Sequence, residues 1–492
     1  MKKICCLFVI LFVITTMGIA GAAEKKIIIK TPDKIIQTED TANLIDGKIK
    51  IPLNLVKDYL YQNMAIDNPN KQVLINFSMP KIKFNNDKTN NLIFNGFKIM
   101  YPLEKINNND YLNIDRLGLL LGISIEENED NIIITTNRNS YYNPVKLNYS
   151  ATNDLAKIVM VWQPILTESA ATEKLPALNI LSPSWFSIVS ADGMIDNKAD
   201  YQYSVMAKEN KYKLWPLITN SFDPDLTHEF LNNKNARKNI IKQLVVYAGL
   251  YEVDGINFDF ENIYESDREL LNQFMLEATK ALHDINVKVS IDVTAPMDDS
   301  QWSKCYDRKT LGKIVDYVML MAYDEHWRTS TVSGSVASLP WVENGVVNTL
   351  KDVPNEKLVL GLPFYMREWQ EQIVAGKVKV KAKTVAMHEI DTIIKDKKLK
   401  PLWLEDKGQE YVQYQQDGAI YKIWIENEKS LDKKINLVEK YNLAGVAAWR
   451  KGFEKPEVWQ LLEAKLNSKV PEETTTCIKK PKKKNKKGVS QK

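Results

Sequence analysis

The sequence predicts an α/β protein built on a (β/α)8 TIM barrel, with a small α+β insertion after the seventh strand and a small α+β domain ahead of the barrel. Three observations support this prediction. At 492 residues the chain is longer than one hydrophobic core usually organises. Beyond residue 150, short apolar runs alternate with amphipathic stretches, the pattern of parallel strands joined by helices. Eight such runs can be identified, and eight parallel strands close a barrel.

Residues 1–23 have the layout of a secretory signal peptide. Lys2 and Lys3 precede an apolar stretch from Ile4 to Ile19, and the small residues that follow suit cleavage. A retained membrane anchor is the alternative, but a spanning helix needs about 20 apolar residues, more than this stretch supplies. We therefore expect an exported protein with no membrane span after cleavage.

Residues 24–140 are expected to form the separate α+β domain. Two stretches of this segment each suggest a strand, a short amphipathic helix and two further strands, which predicts a weak internal duplication. The segment resembles the stalk modules of bacterial envelope proteins that are described as copper-amine-oxidase N-terminal-like. It contains no His or Cys, so we do not expect a copper site. Residues 141–150 are polar, contain Pro144 and are expected to form a linker.

Residues 151–467 supply the predicted barrel. Its helices have amphipathic spacing, as in residues 267–282, where apolar positions recur every three or four residues. The interval between the seventh and eighth strands is too long for one helical crossover, so an insertion is predicted at about residues 366–430. The eight predicted strands are residues 158–162, 178–181, 214–218, 255–260, 288–293, 317–323, 358–362 and 445–449.

Residues 468–492 are expected to form a disordered, Lys-rich tail. The net charge of the chain is +4, and without the seven lysines between Lys479 and Lys487 and without Lys492 it would be about −4. Such a block of like charges repels itself and cannot form a core. We expect the tail either to bind an anionic polymer of the cell envelope through its charge or to remain solvated without a partner. Nucleic acid is not an expected partner of an exported protein.

The stretch VDGINFDFEN, from Val253 to Asn262, contains the most informative pattern. On a strand, Asn257, Asp259 and Glu261 share one face and the apolar residues between them share the other. Polar residues at the C-terminal end of a barrel strand lie where barrel enzymes place catalysis. An exposed edge strand and a divalent cation site are the alternative interpretations of this stretch.

The carboxyl groups of Asp259 and Glu261 would lie about 6–7 Å apart along one face of the strand. At that separation each ionised carboxylate raises the pKa of the other. A carboxyl group with a raised pKa can donate a proton near neutral pH. The spacing of Asp259 and Glu261 therefore indicates general acid catalysis.

The stretch resembles the strand-four signature of glycoside hydrolase family 18, the chitinase-like barrels. Asp254, Gly255, Asp259 and Glu261 match that signature, whereas Asn257 replaces its usual middle Asp. Two further motifs agree in order along the chain: MLMAYDEHW at strand six and GVAAWR at strand eight. The segments SPSWFSI and LPFYMREW resemble the spore-germination and cortex-lytic branch of the family, which is associated with peptidoglycan.

The resemblance implies a secreted, retaining, substrate-assisted glycosidase acting on β-linked N-acetylhexosamine polymers such as peptidoglycan or chitin. In this mechanism the acetamido group of the sugar acts as the nucleophile. Glu261 is expected to be the acid and then the base, Asp259 to hold the acetamido N–H, and Tyr323 to hold the acetamido oxygen. The residues expected to bind the sugar are Asp324, Met321, Trp449, Trp185 and Trp162. The residues expected to support the site are Asp254, Gly255 and Asn257.

Two other functions are the alternatives to hydrolysis. A lectin-like carbohydrate-binding barrel would lack the acid, which this sequence retains at Glu261. A metal-dependent deacetylase would need a cluster of ligands, but the four histidines are scattered without metal-binding spacing. We therefore expect neither a metal ion nor another cofactor.

Overall fold

The structure of the chain is a computed structural model. It describes residues 23–31, 34–45, 48–60, 64–67, 72–77, 97–114, 123–136, 157–164 and 174–466. Most of the predicted signal peptide, the predicted linker 141–150 and the predicted tail 468–492 lie outside these residues. No helix within the described ranges is long and apolar enough to cross a membrane.

The described N-terminal residues form a seven-stranded sheet and a three-stranded sheet. Their strands are β1 (Ala23–Lys30), β2 (Ile35–Ile45), β3 (Lys48–Pro52), β4 (Met64–Asp67), β5 (Gln72–Phe77), β6 (Phe97–Pro102), β7 (Glu104–Ile106), β8 (Asn109–Asn113), β9 (Ile123–Glu127) and β10 (Asn131–Thr136). The larger sheet has the order β7-β8-β3-β2-β1-β10-β9, and the smaller has the order β4-β5-β6. Strand β1 pairs in parallel with β10, and alternate residues of both strands are buried. Because β1 begins at Ala23, it includes the last residue of the predicted signal peptide.

The central sheet has eleven strands, and most of them run in parallel. The strands are β11 (Ile158–Gln163), β12 (Ile180–Pro183), β13 (Phe186–Ile188), β14 (Ile195–Asn197), β15 (Lys213–Leu214), β16 (Leu217–Thr219), β17 (Gly255–Asp259), β18 (Lys288–Thr294), β19 (Tyr317–Met321), β20 (Leu358–Pro363) and β26 (Gly445–Trp449). Their order is β14-β13-β16-β17-β18-β19-β20-β26-β11-β12-β15. The pair β12–β15 at one end of this order continues along the chain into the pair β13–β16 near the other end. The sheet is therefore curled.

The strands agree with the predicted set except at the second and third positions. The third predicted strand is interrupted at Trp215 and Pro216, because proline has no N–H group to donate to a neighbouring strand. The second lies slightly later than predicted and resumes as β13 after a break at Ser184 and Trp185. These two interruptions produce the split pairs at the ends of the sheet.

Helices connect the strands and cover the sheet. They are α1 (Tyr201–Glu209), α2 (Pro224–Asn232), α3 (Lys234–Leu250), α4 (Arg268–His283), α5 (Arg308–Ile314), α6 (Leu339–Thr349), α7 (Ile390–Asp396), α8 (Glu428–Lys440) and α9 (Glu457–Leu466). Helix α2 begins with Pro224, and the Asp223 side chain accepts hydrogen bonds from the first free backbone amides. The amphipathic stretch predicted at 267–282 is α4, whose buried face includes Phe274 and Met275.

Between β20 and β26 the chain forms a separate, five-stranded antiparallel sheet, which we call the insertion sheet. Its strands are β21 (Tyr365–Val374), β22 (Lys377–Ala386), β23 (Leu402–Leu404), β24 (Gln409–Gln416) and β25 (Ala419–Ile425). They are ordered β22-β21-β25-β24-β23. The buried Trp369 indole of β21 donates to the backbone oxygen of Gly334, in the segment that follows β19. This contact fixes the insertion sheet beside the C-terminal end of β19.

Candidate active site

Strand β17 presents two chemically different faces. Phe258 and Phe260 pack outward against Phe274 of α4, and the Phe260 and Phe274 rings stack with centroids 5.7 Å apart. Asn257 and Asp259 point the other way and are 0% and 6% exposed. The alternation expected from the sequence therefore places an amide and a carboxyl group inside the curled sheet.

A hydrogen-bonded network fixes the side chain of Asn257. The Trp162 indole donates to Asn257 Oδ1 at 2.7 Å. Asn257 Nδ2 donates in turn to Asp292 Oδ1 at 2.7 Å and to Ser290 Oγ at 3.0 Å, both on the neighbouring strand β18. Because the oxygen of the amide accepts and its nitrogen donates, only one orientation of this amide satisfies all three contacts.

Asp292 was not identified from the sequence. It is 1% exposed, and its strand runs beside β17 with Phe258 aligned to Ile291, so the next residues in this register are Asp259 and Asp292. Its signal in the sequence was a single carboxylate within the apolar run VSIDV. The same criterion that selected Asp259 would have selected Asp292.

Asn220 and Tyr306 hold the backbone around Glu261, and neither was predicted. The buried Asn220 side chain accepts from Glu261 N at 3.1 Å and donates to Glu261 O at 2.7 Å. The Tyr306 hydroxyl donates to the backbone oxygen of Phe260 at 2.8 Å. The half-buried Glu261 carboxyl is therefore attached to a backbone that is fixed on both sides.

Burial and neighbouring carboxylates raise the pKa values of the carboxyl groups in the site. Burial raises the pKa of Glu261 well above its ordinary value, and the charges of Asp259 and Asp324 raise it further. Burial also raises the pKa of Asp259, with Asp292 as the second cause. The sequence indicated mutual repulsion of Asp259 and Glu261, whereas burial is the larger cause in both groups. We refer to Asp259, Glu261 and Asp292 as the carboxyl cluster.

Tyr323, Met321 and Asp324 lie together at the C-terminal end of β19. The half-buried Tyr323 ring meets Trp162 edge to face at 6.5 Å. Asp324 has a positive φ of 59°, and its Oδ1 accepts from the Tyr365 hydroxyl at 2.7 Å and from the Arg367 guanidinium at 2.8 Å. The insertion sheet therefore holds Asp324 through Tyr365 and Arg367.

The three predicted sugar-binding tryptophans differ in position. Trp449, at the end of β26, is half-buried, and its ring lies 6.3 Å from that of Trp162. Trp162 is only 1% exposed and lies within the sheet interior, so its prediction as a sugar-contacting ring is corrected to a hydrogen-bond donor beneath the site. Trp185 is 3% exposed and packs against Tyr203 and Tyr251 in the helix-facing layer. Its prediction as a binding residue is also corrected, because the ring lies in the helix-facing layer together with Leu181 of β12.

Asp254 and Gly255 support the start of β17. Asp254 accepts from Lys213 Nζ at 3.0 Å and from Leu214 N at 2.9 Å, which joins β15 to β17. A Cβ atom at Gly255 would lie 2.7 Å from the Trp215 ring, so only glycine fits there. Both residues lie at the opposite end of the strand from Glu261, and they act on the site through strand placement.

Within the described parts of the chain, no three His, Cys, Asp or Glu side chains stand together in a way that could hold a metal ion. The site thus consists of a carboxyl cluster, a tyrosine, a half-buried tryptophan and the residues that orient them. Such a group can donate a proton, stabilise a nearby positive charge and provide a flat apolar surface.

Comparison with known proteins identifies the class of enzyme. A sequence model of the glycosyl hydrolases family 18 matches residues 166–453, more than half of the chain. The chain therefore belongs to glycosyl hydrolase family 18 and is a glycosidase. This match does not include the described N-terminal sheets, whose resemblance to stalk modules remains a prediction.

Among curated relatives, the chain is 29% identical over 299 residues to an uncharacterized glycosylase, YvbX, of Bacillus subtilis, covering 58% of this chain and 84% of that protein. It is 25% identical over 309 residues to the cortical fragment-lytic enzyme of the same organism, covering 61% and 70%. Relatives of this kind support a glycosidase acting on peptidoglycan or chitin.

Solved structures agree on the fold. The spore cortex-lytic enzyme SleL of Bacillus cereus has a TM-score of 0.58 and 21% identity, covering 63% of this chain and 74% of that chain. A chitinase from Chromobacterium violaceum has a TM-score of 0.57 and 22% identity, covering 64% and 100%. These likenesses establish a chitinase-like α/β fold with a curled sheet.

Proposed function

We propose that this chain is an exported, retaining glycosidase that cleaves β-linked N-acetylhexosamine polymers by a substrate-assisted mechanism. The observation that carries the proposal is the position of the Glu261 carboxyl group, beside other carboxyl groups at the C-terminal end of β17. Its carboxyl group has a pKa raised first by burial and then by Asp259 and Asp324, and it follows directly after a parallel strand. A general acid for glycoside cleavage needs this combination of position and retained proton.

Glu261 protonates the leaving glycosidic oxygen and afterwards activates water. Asn220 supports this role, because it fixes the backbone of Glu261 through two hydrogen bonds. A fixed backbone restricts the carboxyl group to a small range of positions, and positioning of this kind supplies a large part of catalysis.

The acetamido group of the substrate attacks its own anomeric carbon, so no enzyme carboxylate forms a covalent bond to the sugar. Asp259 accepts the acetamido N–H and stabilises the positive charge that develops on the ring formed in this step. Tyr323 donates its hydroxyl proton to the acetamido oxygen. Burial raises the pKa of Tyr323 well above its ordinary value, which keeps the hydroxyl protonated as a donor.

Trp449, Met321 and Asp324 bind the sugar beside the reacting bond. The half-buried Trp449 ring offers a rigid apolar face of the kind on which a sugar ring stacks. Asp324 is held by Tyr365 and Arg367, so its remaining oxygen has a defined direction for a sugar hydroxyl.

We further propose that the curled sheet is a closed (β/α)8 barrel, because split strands join the two ends of its order. Residues 1–23 direct export, residues 24–140 act as a stalk-like domain, and residues 151–467 contain the catalytic unit. The tail at residues 468–492 holds the enzyme at an anionic envelope polymer by charge.

Peptidoglycan is the proposed polymer, supported by the similarity to the Bacillus subtilis cortical fragment-lytic enzyme and by the cortex-lytic sequence segments. Mass analysis of products from peptidoglycan and from chitin oligomers, digested side by side, tests this choice. Muropeptide fragments with intact reducing ends are expected from peptidoglycan. Efficient release of small fragments from chitin oligomers alone would assign chitin instead.

The chemical roles are tested with Glu261→Gln and Asp259→Asn. Glu261→Gln keeps the shape of the side chain but cannot donate the proton, so turnover should fall by roughly 100-fold or more. Asp259→Asn should lower kcat with little change in KM, because it removes stabilisation of the transition state more than of the bound substrate. Glu277→Gln, on the outer surface of α4, is the matched control and should retain activity.

A non-catalytic, lectin-like barrel predicts a different result. It would bind the glycan with no turnover in the unaltered protein, and Glu261→Gln would change nothing. A wild-type rate in Glu261→Gln would remove Glu261 from the mechanism, whereas unaltered KM and kcat in Asp259→Asn would remove Asp259.

A further inference from the structure

Two buried carboxyl groups lie at neighbouring positions on the inner face of the adjacent strands β17 and β18. Asp259 of β17 and Asp292 of β18 are 6% and 1% exposed. The parallel register aligns Asn257 with Ser290 and Phe258 with Ile291, so Asp259 and Asp292 come next on the same face. Ionisation of both buried carboxyl groups at these neighbouring strand positions has a high free-energy cost, because each negative charge disfavours the other.

The hydrogen bonds of the two groups are unequal. Asp292 Oδ1 accepts from Asn257 Nδ2, and the Trp162 indole holds that amide in the donating orientation. Asp259 Oδ1 is buried without a hydrogen-bond partner. Burial raises the pKa of both Asp292 and Asp259. Hydrogen bonds donated to a carboxylate favour its ionised form, so within the pair the charge is better supported on Asp292 and the proton on Asp259.

This arrangement conflicts with the proposed role of Asp259, which must be ionised to accept the acetamido N–H. We propose that Asp292 is a positioning residue that takes the proton of Asp259 when substrate occupies the site. The inference rests on the substrate-assisted function proposed above. In the transfer the O–H bond on Asp259 breaks and a new O–H bond forms on Asp292, while the pair retains one proton and one negative charge.

Asn257 lies between the indole of Trp162 and the carboxyl group of Asp292. The family resemblance leads one to expect an aspartate at 257, on the same strand as Asp259. In this chain the amide of Asn257 instead links Trp162 to Asp292, so the carboxyl group next to Asp259 belongs to the neighbouring strand β18. The titratable groups that act on this pair from the surrounding elements are Glu261 of the carboxyl cluster, Tyr306 and Tyr323 at the end of β19.

A purely structural role does not account for a carboxyl group at 292. Asparagine has nearly the same shape and would still accept the hydrogen bond from Asn257. It would also avoid the cost of a second buried acid, so a selection for stability alone would favour it.

The decisive experiment exchanges the amide and the carboxyl group across this hydrogen bond. Asp292→Asn should lower kcat on the order of 100-fold with KM nearly unchanged, because Asp259 loses its proton acceptor while the substrate contacts remain. The double variant Asn257→Asp with Asp292→Asn restores a carboxyl group beside Asp259 and should recover most of kcat. Asp292→Asn with unaltered kcat would overturn the proposal, and so would a double variant no faster than the single one.

A second measurement is independent of turnover. The carboxyl groups are titrated by infrared or carbon-13 spectroscopy in a Glu261→Gln background, with and without Asp292→Asn. Removal of a coupled neighbouring carboxylate should lower the apparent pKa of Asp259 by about one unit or more. Equal titration in both proteins would refute the coupling. A wild-type protein without any turnover would refute the proposed function, while this titration would still decide whether the pair shares a proton.

Discussion

The indole of Trp162 provides a sharp test of how the site is held together. It is 1% exposed, and its nitrogen donates to Asn257 Oδ1 at 2.7 Å. Trp162→Phe removes this donor and leaves an aromatic ring in the same place. The Asn257 amide would then lack the contact that fixes its orientation and could turn its oxygen towards Asp292.

The expected loss of stability has two contributions. Phenylalanine lacks the indole nitrogen and has two fewer buried ring carbons than tryptophan, and at about 0.8 kcal/mol for each buried carbon the lost carbons cost about 1.6 kcal/mol. The Asn257 oxygen left without a donor costs a further 1–3 kcal/mol or so. We therefore expect the free energy of unfolding to fall by about 3–5 kcal/mol, and kcat to fall about tenfold as the carboxyl cluster loses its fixed support.

Urea unfolding and steady-state kinetics on the same preparations measure both effects. Trp369→Phe is the matched control, because Trp369 is fully buried and its indole donates to the Gly334 backbone oxygen at 2.8 Å. Both variants should lose similar stability, whereas only Trp162→Phe removes a contact to Asn257. A stability loss below about 1 kcal/mol in Trp162→Phe, with kcat unchanged, would refute the assignment of this hydrogen bond as the support of the site.

Three further predictions concern the carboxyl cluster, strand β17 and the tail. The folded state binds the protons of the cluster more tightly than the unfolded state, so its contribution to stability is fully present below the ordinary pKa values of 3.8 and 4.5 and is lost as the pH rises through the raised folded values. Urea unfolding across this range should give a steeper fall for the wild type than for Glu261→Gln, and equal slopes would contradict the raised pKa. Gly255→Ala should destabilise the protein by about 1–3 kcal/mol, because its Cβ would lie 2.7 Å from the Trp215 ring. Gly345→Ala, whose Cβ would lie 3.4 Å from that of Ala295, is its control in the same unfolding assay and should be tolerated. Deletion of residues 479–492 should release the enzyme from purified envelopes at low salt without affecting hydrolysis of a neutral oligomer; equal sedimentation of both proteins would assign attachment elsewhere.

The sequence alone predicted the elements whose signals are local. The alternation in VDGINFDFEN placed Asn257 and Asp259 on the inner face of β17, because successive side chains of a strand point in opposite directions. Six of the eight predicted strands of the central sheet begin at their predicted residue, since each is a short apolar run between polar segments. The motifs at strands four, six and eight also identified the family, which the match over residues 166–453 bears out.

Tertiary structure decided the contacts between strands that are distant in the sequence. Asp292 lies beside Asp259 because of the register between β17 and β18, and no local pattern encodes which residues of two parallel strands align. Trp162 lies near the end of β11 and Trp185 lies just after β12, yet one enters the sheet interior and the other the helix-facing layer. Around the break after β12 the alternation is lost, because the neighbouring residues Trp185 and Phe186 both belong to the helix-facing layer. The sequence by itself therefore determined the strand that carries Asp259 and the class of enzyme, whereas the packing of neighbouring strands decided which polar groups surround the Asp259 and Glu261 carboxyl groups.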